Sequence, residues 1–125
     1  MVEPEDQLYA TPDDLARHAR APVIVCKLLF AAADGHRGSV RAIRSSDKDE
    51  EVVRQRRAVI WAAKFHTSAS LPEIGRALNR DHSAVQRSLE ETKILWLADP
   101  DFRDMCERIA RRGARKWEAR CGASI

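Results

Sequence analysis

Apolar residues recur along this chain at the three- and four-residue spacing typical of helices, and turn-forming residues separate the segments that carry them. Residues 23–33 (VIVCKLLFAAA) are nearly all apolar and too long for a typical strand, so the pattern predicts a buried helix. Residues 50–66 are predicted to form a long helix with Val53, Ile60 and Ala63 on its inner side. The chain is therefore expected to be all-α, a bundle of about six helices.

The segment 70–98 has the pattern of two helices joined by a tight turn. Ser70 and Glu73 have the spacing of a capping box, which would start the first helix. Asn79 follows the last apolar position of that helix and tolerates the left-handed backbone that ends it. Asp81 is a preferred cap for the second helix, which we expect to continue until a proline follows. This pattern predicts a helix-turn-helix.

The second helix of this pair would present Arg80, His82 and Ser83 at its exposed N-terminal end. In helix-turn-helix proteins, residues at that end contact base edges in the major groove of DNA. An imidazole offers a donor and an acceptor, and a hydroxyl does both, so His82 and Ser83 suit a base edge. A lone histidine is more often an ordinary surface residue, so this interpretation depends on the wider motif.

Two motifs of this chain resemble the C-terminal DNA-binding domain, domain IV, of the bacterial chromosomal replication initiator DnaA. Residues 70–75 are SLPEIG and residues 80–85 are RDHSAV, where that family typically has Leu-Pro-Glu-Ile-Gly and then Arg-Asp-His-Thr-Thr-Val. Residues 51–57, EVVRQRR, are similar to the family's Val-Val-Arg-Pro-Arg-Gln run before its long helix. The resemblance covers residues 23–110 and implies a Trp-repressor-like helix-turn-helix that binds double-stranded DNA.

The resemblance also implies roles for individual residues. Arg54 matches an arginine that enters the minor groove, where a planar cation senses the negative potential of a narrow groove. Asp81 is implied to accept from a base while it caps its helix. Leu71 and Pro72 match positions that touch thymine methyl groups, although helix initiation and packing also account for them. The predicted DNA-binding set is Arg54, Arg56, Arg57, Leu71, Pro72, Arg80, Asp81, His82, Ser83, Ala84 and Arg87.

Further basic residues are candidates to hold phosphates, with solvated surface charge as the alternative. Arg80 and Arg87 are expected to face phosphates on one flank of the helix-turn-helix. Several acidic residues share the loop before the long helix, where they would either orient neighbouring arginines or repel phosphate. The basic candidates near that loop are Arg41, Arg44, Lys48, Arg56 and Arg57, and the acidic residues are Asp47, Asp49, Glu50 and Glu51.

This sequence departs from the family pattern at several positions. Ser83 and Ala84 stand where the family has two threonines, Gln55 replaces a proline, and Asn79-Arg80 replaces a glycine-rich turn. We therefore expect the family's docking mode but not its usual recognition box. No GxxxxGK[ST] phosphate loop is present, so the chain is expected to be a stand-alone regulator of transcription or replication initiation rather than a complete initiator.

Composition agrees with one small helical domain. The 125 residues are 44% hydrophobic and 33% charged, which is typical of a globular chain, and the net charge of +3 permits nucleic-acid binding without requiring it. We expect a flexible acidic leader at residues 1–10, a single DNA-binding domain at 11–112 and a basic tail at 113–125. The leader lacks the features of a signal peptide and no apolar run is long enough to span a membrane, so a cytoplasmic, nucleoid-associated protein is expected.

The distribution of cysteines and histidines gives no indication of an enzyme. Cys26, Cys106 and Cys121 form no CxxC pair, so neither a zinc site nor a redox motif is predicted, and Cys26 is expected to be a core residue. The four histidines show no metal-ligand spacing, and no nucleophile–base pair can be inferred. We therefore predict no catalytic activity, no metal and no cofactor.

An alternative from another class is a protein-interaction module that binds the initiator or the transcription machinery. The apolar segment 23–33 and the acidic leader motivate it, since either could form an interface. Trp61, Trp96 and Trp117 could anchor a partner, but core packing is the preferred interpretation for Trp61 and Trp96. The oligomeric state stays open, because a unit of this kind can bind one asymmetric site as a monomer and the first forty residues could instead form a dimer surface.

Overall fold

The computed structural model describes residues 9–123, and for Arg37 and residues 114–123 it describes the backbone alone. Within this range the chain forms helices and no strands, which confirms the all-α expectation. The seven helices are α1 (Pro12–Ala19), α2 (Val23–Ala32), α3 (Arg37–Arg44), α4 (Glu50–His66), α5 (Leu71–Ala77), α6 (His82–Ala98) and α7 (Pro100–Ala123). None of the described helices is long and apolar enough to cross a membrane.

Helix α2 lies at the centre of the bundle, packed against α1, α4 and α7. Val25, Cys26 and Leu29 are fully buried, as the apolar run predicted. Burial raises the pKa of the Cys26 thiol to about 12, because the apolar surroundings disfavour the thiolate. The segment that motivated a protein-binding surface is therefore the core of the molecule.

Helix α4 is enclosed on several sides by α2, α6 and α7. Ile60 and Ala63 are buried as predicted, whereas Val53 is only half-buried, and residues 58–63 are buried around the whole helix. The ring of Trp61 stacks on that of Trp96, with centroids 5.2 Å apart and planes at 26°. This stack joins α4 to α6 and confirms the core role expected for the two tryptophans.

The structure differs from the sequence prediction at the N-terminal end. Residues 1–8 of the expected leader lie outside the described residues, but Tyr9, which was assigned to that leader, is buried. Its hydroxyl accepts a hydrogen bond from Arg44 Nη1 at 3.1 Å. The ordered fold therefore begins before residue 11, because one aromatic side chain packs onto α3.

The last helix also runs further than expected. Asp99 and Pro100 separate α6 from α7 as predicted, but α7 continues past residue 112 to Ala123. Gly113 lies against α2, and a Cβ added there would be 2.6 Å from Leu28 Cδ2. The backbone of the expected basic tail is thus helical as far as Ala123, while the side chains of Trp117 and Cys121 are not among those described.

Candidate DNA-binding interface

Helix α5, the first helix of the predicted pair, begins at the expected capping box. Ser70 Oγ accepts from the Glu73 N–H at 3.3 Å, and Glu73 Oε1 accepts from the Ser70 N–H at 2.8 Å. The bond from the Ser70 N–H also lowers the pKa of the Glu73 carboxyl, because it stabilises the ionised form. Pro72 is exposed and Leu71 is half-buried in the first turn, so Pro72 is open to a ligand.

The turn after α5 folds back tightly onto that helix. Asn79 has the left-handed backbone predicted for it, with φ 57°. The N–H of Arg80 then donates to Gly75 O at 2.7 Å. A Cβ on Gly75 would lie 2.3 Å from Arg80 O, so only glycine permits this approach. The sequence analysis missed the role of Gly75, although a glycine inside a helical pattern is the available signal.

The N-terminal end of α6 is capped by a side chain and exposed to solvent. Asp81 Oδ1 accepts from the Ala84 N–H at 2.8 Å, as the sequence predicted. His82 and Ser83 are exposed in the first turn, and Val85 is fully buried behind them. Arg87 is exposed one turn further along, while Ala84 is half-buried. We call the exposed set of His82, Ser83 and Arg87 the recognition face.

Arg80 does not lie on the recognition face, although the sequence analysis expected it beside His82. Its guanidinium is half-buried and donates from Nη1 to Arg44 O at 3.3 Å and from Nη2 to Ser45 O at 2.5 Å. Burial and the neighbouring Arg44 lower the pKa of Arg80, since both disfavour the charged form. Arg80 therefore holds the turn against the end of α3 and is not part of the recognition face.

Two further arginines predicted to hold phosphates are also engaged within the fold. Arg44 is 9% exposed and donates from Nε to Ala77 O at 2.8 Å. Arg56 donates from Nε to Ile43 O at 2.7 Å and from Nη2 to Ser45 O at 3.0 Å. The last carbonyls of a helix lack partners within it and carry partial negative charge, so guanidinium groups stabilise that end. Nothing in the local sequence pattern reveals these contacts.

The remaining two arginines of the predicted set form ion pairs, Arg54 with the residue that ends α6 and Arg57 with the middle of that helix. Arg54 Nη1 lies 2.9 Å from Asp99 Oδ2, and its guanidinium is 5.4 Å from the centroid of Phe102. Arg57 Nη2 lies 3.0 Å from Glu91 Oε2. At 1.5 Å per residue, α6 is about 25 Å long, so Arg54 and the recognition face lie at opposite ends of that helix. Arg54 sits in an open cavity of about 570 Å³ that is also lined by the acidic residues Asp49, Glu50 and Glu51.

The family described as the bacterial DnaA protein helix-turn-helix matches residues 30–91. Residues 30–91 therefore carry the sequence pattern of the bacterial DnaA helix-turn-helix family. This range runs from the last turn of α2 to the middle of α6 and contains the capping box, the turn and the recognition face. The resemblance given by the SLPEIG and RDHSAV motifs is thereby confirmed, and a DnaA-type helix-turn-helix is a DNA-binding domain.

Curated relatives are chromosomal replication initiator proteins DnaA. The one from Caulobacter sp. (strain K31) is 35% identical over 69 residues, which are 54% of this chain and 14% of that protein. The one from Zymomonas mobilis is 29% identical over 97 residues, 77% of this chain and 20% of the relative. The one from Gluconobacter oxydans is 37% identical over 68 residues, 54% and 14% of the two chains. This chain thus matches only a fifth or less of each of these proteins, and no solved structure matches it.

No group of three or more histidine, cysteine, aspartate or glutamate side chains that could hold a metal ion occurs in the described part of the chain. Burial raises the pKa of Cys106, like that of Cys26, to about 12, so neither buried thiol is a ready nucleophile.

Proposed function

We propose that the protein binds a specific site on double-stranded DNA through the N-terminal end of α6 and thereby regulates transcription or replication initiation. The observation that carries the proposal is the exposure of His82 and Ser83 at a capped helix end inside a DnaA-type helix-turn-helix. Such helix ends enter the major groove, where base edges carry a distinct pattern of donors and acceptors. The function would place the protein at the nucleoid.

In this proposal the first turn of α6 reads base edges. The imidazole of His82 and the hydroxyl of Ser83 supply donors and acceptors at the helix tip. The Asp81 carboxylate caps the helix through the Ala84 N–H, and its second oxygen can accept from a cytosine amino group. Arg87 contacts a phosphate from the outer side of the helix, and Leu71 and Pro72 approach the neighbouring thymine methyl groups.

Arg54 is proposed to reach the adjacent minor groove, and Arg57 the phosphates beside it. Arg54 is paired with Asp99 and Arg57 with Glu91, so each guanidinium would leave its carboxylate partner to contact DNA. The two pairs are partly exposed, so their contribution is small and the exchange is feasible. Arg80 and Arg56 act instead by holding the turn and the loop in place.

The test is a selection of bound duplexes from a random DNA pool, followed by affinity measurements on the selected sequence. His82→Ala and Arg54→Ala should each weaken binding to that sequence by about 1–3 kcal/mol. His66→Ala is a matched control, because His66 is exposed at the end of α4 beside Glu107 and Arg111 of α7 and is not part of the recognition face. If no sequence is enriched, or if both variants bind like the parent, the proposed function is wrong.

The regulatory part of the proposal has a separate test. The selected site is placed beside a reporter promoter, or within a plasmid origin, in a bacterium that produces the protein. The parent protein should change expression or copy number, and the His82→Ala variant, at equal abundance, should not. Equal expression or copy number with parent and variant would exclude regulation through this site, without contradicting DNA binding.

Protein binding is a second candidate function, favoured by three large apolar side chains that are exposed among the described residues. Ile94 and Leu97 on α6 are 71% and 68% exposed, and Phe65 on α4 is 58% exposed. The double variant Ile94→Gln/Leu97→Gln should leave DNA affinity unchanged under either function. Partner proteins are compared in pull-downs treated with nuclease. Loss of one defined partner that the parent retains after this treatment would support protein binding, and an unchanged set of partners would count against it.

A further inference from the structure

A groove lies between α1 and the turn that joins α5 to α6, beside the recognition face. It is open to solvent and has a volume of about 470 Å³. Its charged and titratable lining residues are His18, Arg44, Arg76, Arg80 and Asp81. Three guanidinium groups therefore face one carboxylate, so the groove attracts anions.

One wall of this groove is α1, which is fixed firmly to the domain. Leu15 of α1 is fully buried, and the helix packs against α2 and α5. Arg20 ends α1 in a left-handed conformation, with φ 56°, and its carbonyl accepts from Arg76 Nε at 2.7 Å. This bond ties the last turn of α5 to the end of α1, so both walls keep their separation.

The basic side chains of the groove differ in how many of their N–H donors already make hydrogen bonds within the fold. Arg44 and Arg80 donate to backbone carbonyls of the fold. Arg76 is exposed, and its two terminal NH₂ groups make no hydrogen bond among the residues described by the structure. The exposed ring of His18 likewise has no hydrogen bond within that part of the chain. These two side chains are therefore the ones available to a ligand.

We propose that this groove binds a phosphate of the DNA backbone that flanks the recognised site, through Arg76 and His18. The inference rests on the proposed function, because a helix tip in the major groove brings the phosphates bordering that groove past the preceding turn. A guanidinium suits such a phosphate, since it can donate two parallel hydrogen bonds. The family match begins at residue 30, so α1 adds this contact from outside the matched domain.

The contact has a signature that separates it from base reading. A phosphate contact releases counterions but carries no sequence information, so it changes the salt dependence of binding and not the preferred sequence. The test compares the full chain with its Arg76→Gln/His18→Gln variant on the selected duplex at several salt concentrations. The slope of log affinity against log salt should fall by about 1 for each phosphate that the variant no longer binds, equally for specific and random duplexes.

Two further variants make the result decisive. Arg17→Gln on the same helix removes a charge that is already paired with Asp14 and does not line the groove, so its salt slope should stay near that of the parent. Arg76→Lys retains the charge and should keep most of the slope. A thermal melt of each variant confirms that it is folded.

The outcomes distinguish this inference from the function on which it rests. If His82→Ala loses specific binding while Arg76→Gln/His18→Gln keeps the parent's salt slope, the groove proposal is overturned and the proposed function stands. If the parent itself shows no specific binding to duplex DNA, both fail. A lowered slope with an unchanged sequence preference supports the groove as a phosphate site.

Discussion

Asp99 holds Arg54 and caps α7 with the two oxygens of one carboxylate. Oδ2 lies 2.9 Å from Arg54 Nη1, and Oδ1 accepts from the N–H of Phe102 at 3.1 Å. The residue that ends α6 therefore also restrains the arginine proposed to enter the minor groove. DNA must compete with this carboxylate for Arg54.

Removing the charge of Asp99 should therefore strengthen DNA binding. Asp99→Asn keeps a side-chain oxygen to cap α7 but weakens the hold on Arg54. Because partly exposed ion pairs contribute little, we expect the affinity for the selected site to rise by about two- to fivefold, measured by fluorescence anisotropy. Asp104→Asn makes the same change in net charge elsewhere on α7, so only a gain beyond this control counts. Unchanged binding by Asp99→Asn would contradict this competition, and weaker binding would show that the pair positions Arg54 productively.

The same pair predicts a dependence of stability on pH. The Arg54 guanidinium, together with the Phe102 N–H, lowers the pKa of Asp99 in the folded protein. A depressed pKa means that the carboxylate stabilises the fold above its unfolded pKa, about 3.9, and that this contribution is lost as the pH falls through the lower folded value. The difference in unfolding free energy between the parent and Asp99→Asn should be constant from neutral pH down to the unfolded pKa and shrink below it. Urea denaturation across that range would reveal a pH-independent difference if the prediction is wrong.

Gly75 should not tolerate even a methyl group. In Gly75→Ala the new Cβ would approach Arg80 O to 2.3 Å, and a backbone atom cannot move aside without shifting the turn. We expect a loss of about 1–3 kcal/mol in unfolding free energy, together with weaker DNA binding because the recognition face moves. Gly38→Ala is the control: its Cβ would meet nothing within 4 Å, so the helix propensity of alanine should make it neutral or stabilising. Equal stability of the two variants would contradict the tight turn.

Arg80 and Arg87 should behave differently although both are arginines of the helix-turn-helix. Arg80→Ala removes hydrogen bonds to Arg44 O and Ser45 O and should cost about 1–3 kcal/mol of stability. Arg87→Ala should leave stability unchanged, because the side chain is exposed, but should lower the salt slope of DNA binding by about 1. Chemical denaturation and salt titration together distinguish the two roles. If Arg80→Ala is as stable as the parent but has a reduced salt slope, Arg80 contacts DNA and its proposed structural role is wrong.

Local signals predicted much of the helix-turn-helix because they act between neighbours in the sequence. The Ser70–Glu73 capping box, the left-handed Asn79 and the Asp81 cap each satisfy backbone groups within a few residues. The exposure of His82 and Ser83 follows from the same register, which places Val85 inward. These features needed no knowledge of the rest of the fold.

Boundaries at the two ends of the domain were predicted less well. Tyr9 stands in a polar, acidic segment, and nothing near it in sequence indicates that its hydroxyl accepts from Arg44. Likewise, α7 continues beyond residue 112, and Gly113 at that point lies close to Leu28 of α2. Both contacts join residues far apart in the chain, so propensity and periodicity do not report them.

By itself, the sequence determined the helical class, the helix-turn-helix and the side chains at the tip of α6, because caps and periodicity are local. Only the tertiary structure decided which arginines face solvent. Arg44, Arg56 and Arg80 meet at the C-terminal end of α3, whereas Arg54 pairs with Asp99 across 45 residues. A charged side chain takes the partner that the fold brings within reach, and no local pattern of charges specifies that partner.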